Sequence, residues 1–107
     1  MSFTYLSDSF AITGQIQPSL IEELPGQGFV AVVCNRPDNE EQGQPSAAEI
    51  KAVCDAQGLD FEHIPMVGPN YTVDDVNRLK SVLGKGKVLA FCRSGNRSTI
   101  LWKAAQE

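Results

Sequence analysis

The residues best equipped for chemistry lie in the stretch KVLAFCRSGNRSTILW, residues 87–102. Cys92 ends an apolar run of strand type, a short turn with one glycine follows, and a helical pattern comes next. Arg93 and Arg97 flank Ser94, Gly95 and Asn96. Consecutive backbone N–H groups in such a turn can converge on an anion as a nest. A helix N-terminus behind them adds partial positive charge, and Gly95 opens a backbone conformation that other residues avoid. The same field favours the thiolate of Cys92, and a thiolate inside an anion cradle is a nucleophile aimed at an anionic substrate. An ordinary strand–helix connection has no use for two arginines so close together. Cys92 is therefore the candidate nucleophile, and Arg93, Ser94, Gly95, Asn96, Arg97 and Ser98 are the candidate anion-binding residues.

Alternating strand and helix signals must position this loop. Residues 3–6 and 10–13 are short β-prone pieces, the second ended by Gly14. Pro18 suits the first turn of a helix reaching Leu24, with Leu20, Ile21 and Leu24 on its apolar face and Pro25-Gly26 as its stop. Residues 29–34, FVAVVC, read as a strand covered on both faces. A polar loop, 36–45, leads to Ser46, which with Glu49 forms a capping box; Ala47, Ile50, Val53 and Cys54 share the buried face, and Gly58 fits the end. Residues 61–64 read as a short strand, Thr72 and Asp75 open a helix carrying Val76, Leu79 and Leu83, residues 87–91 form a buried strand, and Ser98 onward is helical. The alternation predicts one α/β domain over 1–107, a central and mostly parallel sheet flanked by helices. Cys34, Pro65 and Cys92 then fall at the C-terminal edge of the sheet, where such folds keep their sites.

Composition narrows the partners. The 107 residues carry 9 Lys+Arg against 13 Asp+Glu, a net charge of −4, which argues against nucleic acid as a ligand because phosphate contacts dominate that affinity. No apolar run has the length of a membrane span, and the N-terminal stretch has no secretory pattern. Cys34, Cys54 and Cys92 are an odd set without metal-like spacing, and with one histidine, His63, they are a poor zinc site. The expectation is a cytoplasmic chain with reduced thiols and no cofactor.

The CRSGNRS loop resembles two families. Cysteine phosphatases use a cysteine, five intervening residues, an arginine and a Ser or Thr; rhodanese-type sulfurtransferases use a six-residue loop, C-R-x-G-x-[RT]. Four residues separate Cys92 from Arg97, the rhodanese length. TGQIQPS near residue 13, NRPDNEEQGQPS at 35–46, HIPM at 63–66 and CRSGNRSTILW together resemble the beta-lactamase hydrolase-like protein family with a phosphatase-like domain, across almost the whole chain. The resemblance implies a fold similar to the dual-specificity and tyrosine phosphatases. It also implies a functional link to a persulfide-oxidising metallo-hydrolase, to which members are sometimes fused.

Three features favour sulfur over phosphate chemistry. The loop is one residue short of the phosphatase pattern, Phe91 stands where phosphatases usually carry histidine, and the segment after Ile64-Pro65 has no carboxylate. Losing a general acid costs about 10²–10⁴ in rate, whereas sulfite leaves thiosulfate as a stable anion. The expected activity is sulfur transfer from an anionic donor such as thiosulfate, through a Cys92 persulfide, to a low-molecular-weight thiol such as glutathione. The alternatives are a phosphatase working through a Cys92 phosphocysteine and a noncatalytic persulfide carrier or sensor. Asp38, Glu40 and Glu41, in the 36–45 loop, could supply a general acid, but their spacing does not place them at Cys92. Arg36 is read either as a second anion contact and loop clamp or as a solvated partner of Asp38 or Glu40, and the acidic trio as mainly structural. His63 reads as a satisfied structural histidine, Cys34 as a packed thiol in preference to a resolving one, and Cys54, Leu101 and Trp102 as packing residues.

Overall fold

The computed structural model describes residues 3–107. Its elements run β1 (Thr4–Ser7), β2 (Phe10–Thr13), α1 (Pro18–Ile21), a 3-10 turn (Pro25–Gln27), β3 (Phe29–Cys34), α2 (Ala47–Ala56), β4 (Asp60–His63), α3 (Val73–Leu83), β5 (Lys87–Phe91) and α4 (Asn96–Ala105). The five strands form one sheet in the order β1-β2-β5-β3-β4. Only the β1–β2 pair is antiparallel; β2–β5, β5–β3 and β3–β4 are parallel. This is the α/β architecture expected, with the two most apolar strands at its centre.

Period-two alternation in those strands builds two cores. Ala11, Val32, Cys34, Leu89 and Phe91 face one side, against Ile21, Leu24, Ile50 and Cys54. Phe10, Ala31, Val33, Val88 and Ala90 face the other, against Leu79, Val82 and Leu101. Val30 is the one exposed position in β3, so that strand is covered on both faces everywhere else. Both capping boxes form. Ser46 Oγ accepts from the N–H of Glu49 at 3.1 Å, and Thr72 Oγ1 from that of Asp75 at 3.1 Å.

Beside one-residue shifts of β1 and β4, two helix boundaries differ from the sequence reading. The first helix stops at Ile21, and the chain then tightens into the 3-10 turn through Pro25, which brings Leu24 into the core. Hydrophobic spacing over so short a stretch does not separate an α-turn from a 3-10 turn. The last helix begins at Asn96 instead of Ser98, because Gly95 at φ +92° serves as its N-cap. Among the described residues, no helix is long and apolar enough to cross a membrane.

Candidate active site

The site is assembled where β3, β4 and β5 end. Asn35, directly after β3, ties these ends together. Its N–H donates to the carbonyl of Phe91 at 2.8 Å, its side-chain amide donates to the carbonyl of Ile64 at 2.9 Å, and its own carbonyl accepts from the N–H of Met66 at 3.1 Å. Asn35 is buried, so a lost partner would leave orphaned polar groups at a cost of about 1–3 kcal/mol each. The sequence reading passed over this residue. The signal was a polar residue immediately after the continuous apolar run FVAVVC.

Cys92 follows β5 and has no exposed surface. The N–H of Gly95 donates to Cys92 Sγ at 3.1 Å. The left-handed conformation of Gly95 turns the chain back over the sulfur. Because α4 starts at Asn96, the amides of Arg97 and Ser98 lie in its first turn, where N–H groups have no intrahelical partner. Burial alone would push the Cys92 thiol up. The backbone N–H groups of Ser98, Ser94, Arg97 and Gly95 outweigh it and hold the thiol below its ordinary value. Gly14, at the end of β2, lets this loop pack closely: a Cβ there would stand 2.9 Å from the carbonyl oxygen of Arg93. Thr99 secures the back of the turn, donating from Oγ1 to the Gly95 carbonyl at 2.9 Å.

Arg97 is held by the 36–45 loop. Its Nη1 and Nη2 donate to the two oxygens of Glu40, both at 2.7 Å, and Nη1 also donates to the carbonyl of Met66 at 2.8 Å. Such a bidentate pair fixes the plane of the guanidinium. Glu40 is in turn held by Arg36, whose Nε donates to Glu40 Oε1 at 2.8 Å, Nη1 to Gln15 Oε1 at 2.9 Å and Nη2 to Glu41 Oε1 at 3.1 Å. Arg36 is 1% exposed and is therefore a buried clamp, which corrects the reading of a solvated arginine. The Arg97 hydrogen bonds lead in lowering the Glu40 carboxyl to about 2, with Arg36 adding to them against burial. Glu40 likewise raises Arg97 above its ordinary value. Asp38 is elsewhere: its Oδ1 accepts from the N–H of Ala47 at 2.7 Å and caps α2.

A cavity of about 430 Å³ opens over the loop, lined by Glu40, Gly68, Pro69, Arg93, Ser94, Asn96 and Arg97. Of the residues chosen from sequence, Arg93, Ser94, Asn96, Arg97 and Glu40 therefore meet at one opening. Gly95 and Ser98 are buried beneath it, close to the sulfur, and do not line the cavity. Arg36 and Asp38 lie outside it, as clamp and helix cap. His63 Nε2 is bonded to the Arg36 carbonyl at 2.9 Å, a structural contact. Burial pushes the Cys34 thiol up to about 11 and the Cys54 thiol up to about 12, so neither is a thiolate near neutrality. Among the described residues, no three His, Cys, Asp or Glu side chains converge as metal ligands do.

The model of the family described as beta-lactamase hydrolase-like protein, phosphatase-like domain, matches residues 2–107. The beta-lactamase hydrolase-like protein of Agrobacterium fabrum is 32% identical over 104 residues, which cover 95% of this chain and 24% of that protein. The chain thus spans about a quarter of the curated relatives it matches. Among solved structures, a candidate phosphatase of Neisseria meningitidis is 33% identical with a TM-score of 0.78, over 92% of this chain and 71% of that one. The core catalytic domain of a PP-IP phosphatase from S. cerevisiae has a TM-score of 0.69 at 12% identity, over 97% of this chain and 64% of that one, a likeness of fold.

These matches overturn sulfur transfer as the expected activity, since the family description and the Neisseria relative both point to phosphatases. The short Cys-to-Arg spacing does not set the loop's shape, because α4 begins at Asn96 and places the amides of Arg97 and Ser98 in its first turn, close behind Cys92. With its sheet, loop and helix in this arrangement, the chain belongs to the beta-lactamase hydrolase-like family as its phosphatase-like domain, and it has the fold of the cysteine phosphatases.

Proposed function

We propose that this domain is a cysteine-dependent phosphatase acting through a phosphocysteine on Cys92. The observation that carries the reading is a buried sulfur that accepts from the N–H of Gly95 at 3.1 Å at the start of α4, beneath a cavity walled by Arg93 and Arg97. The thiolate attacks phosphorus, an S–P bond forms, and the ester P–O bond breaks with its electron pair leaving on oxygen. Arg97, oriented by Glu40, and Arg93 face the side where the phosphoryl oxygens collect charge. Water then attacks phosphorus, inorganic phosphate departs and the thiolate is restored.

The test is incubation with 4-nitrophenyl phosphate, a rapid acid quench and peptide mass analysis. The expected result is nitrophenol release together with one phosphoryl group on Cys92, both absent in Cys92→Ser with an unchanged circular dichroism spectrum. Turnover persisting in that variant would overturn the covalent mechanism, because a serine hydroxyl stays protonated where a thiolate is needed.

A further inference from the structure

Breaking a phosphate ester creates negative charge on the departing oxygen. An enzyme either protonates that oxygen from a positioned acid or relies on a leaving group that tolerates the charge. Glu40 is the only carboxylate among the residues lining the cavity. Both of its oxygens accept from Arg97 at 2.7 Å, and one also accepts from the buried Arg36 at 2.8 Å. A carboxylate so held has no proton to give near neutrality, in keeping with its lowered titration. Asp38 is spent on the N–H of Ala47, and Glu41 accepts from Arg36 at 3.1 Å. The segment on the opposite wall, Met66 to Asn70, contributes Gly68 and Pro69 to the cavity and carries no acid or histidine.

We infer that the substrate of this site is a phosphoryl group on a leaving group acidic enough to depart unprotonated, such as an acyl phosphate, a phosphoanhydride or an acidic aryl ester, and not an alkyl phosphate of the serine or threonine type. The inference rests on the phosphatase reading and deepens it. In the balanced step, Cys92 Sγ donates an electron pair to phosphorus and the leaving oxygen takes the P–O pair as an anion. That anion is protonated by water only after release. Glu40 is a positioning residue for Arg97, and the selectivity follows from its commitment to that role.

The experiment measures kcat/KM at pH 7 for aryl phosphates of similar size whose phenols span acidities from that of 4-nitrophenol to that of phenol, with acetyl phosphate and O-phosphoserine alongside. This constant reports the steps up to formation of the phosphocysteine. The expected result is a steep fall, roughly tenfold for each unit by which the leaving group becomes less acidic. Acetyl phosphate should be cleaved well and O-phosphoserine slower by at least about 10². A flat dependence, with phenyl phosphate cleaved about as fast as 4-nitrophenyl phosphate, would overturn the inference while leaving the phosphatase reading intact. Failure to cleave even the most acidic aryl ester, with no phosphocysteine trapped, would overturn both.

Discussion

Replacing Glu40 by Gln separates charge from shape at the clamp beneath the cavity. The amide keeps the size of the carboxylate but leaves Arg36 buried with Glu41 as its one remaining charged partner. It also leaves Arg97 without its counter-charge. The lowering of the carboxyl from its ordinary 4.5 to about 2 is worth about 3 kcal/mol at face value. Glu40 is 31% exposed, so solvent screening reduces this to about 1–2 kcal/mol. A folded-state value below the unfolded one means that the stabilisation is fully present above pH 4.5 and is lost as the pH falls toward 2. Glu40→Gln should therefore unfold about 5–12 °C below the parent at pH 7. The gap should narrow progressively below pH 4.5, be clearly smaller at pH 3 and vanish only near pH 2, because the parent loses there what the variant never had. Thermal unfolding followed by circular dichroism at pH 7, 4 and 3 measures both. A gap that stays constant down to pH 3, or none at pH 7, would refute the assignment of the stabilisation to the ionised carboxylate.

Three further outcomes are expected. Alkylation by iodoacetamide should show a midpoint for Cys92 below the free-thiol value of about 8.5; Cys34 and Cys54, raised by burial, should stay unmodified across that range in the folded protein, as peptide mapping would show. Gly14→Ala should lower kcat/KM toward 4-nitrophenyl phosphate by tenfold or more, on the order of 1–2 kcal/mol of displaced loop, because its methyl group would stand 2.9 Å from the Arg93 carbonyl and must push the Cys92 loop away. Gly68→Asp places a carboxylate on the cavity wall, where a Cβ meets nothing within 4 Å and the φ of +61° is one that aspartate tolerates better than most residues; it should raise the turnover of phenyl phosphate more than that of 4-nitrophenyl phosphate in side-by-side assays.

The sequence by itself was enough to single out the Cys92 loop and most of the architecture. The runs FVAVVC and KVLAF are continuous because their strands are buried on both faces, and the residues at Ser46/Glu49 and Thr72/Asp75 close capping boxes from local geometry alone. Cys92, Gly95 and Arg97 are legible for the same reason: a turn, a helix start and a thiolate are made by neighbours along the chain. Long-range partners were not legible. That Arg36 is buried and that Glu40 reaches across 57 positions to Arg97 follow from how the β3 loop folds over the end of β5. The same crossing removes Glu40 from the pool of proton donors, while Asp38, two residues earlier, is turned to cap α2. The expectation of sulfur transfer rested on the short spacing from Cys92 to Arg97, on Phe91 and on the missing carboxylate after Pro65, and the family match overturned it. Residue counting does not show where N–H groups point in space; the start of α4 at Asn96, behind the left-handed Gly95, is decided by the tertiary structure.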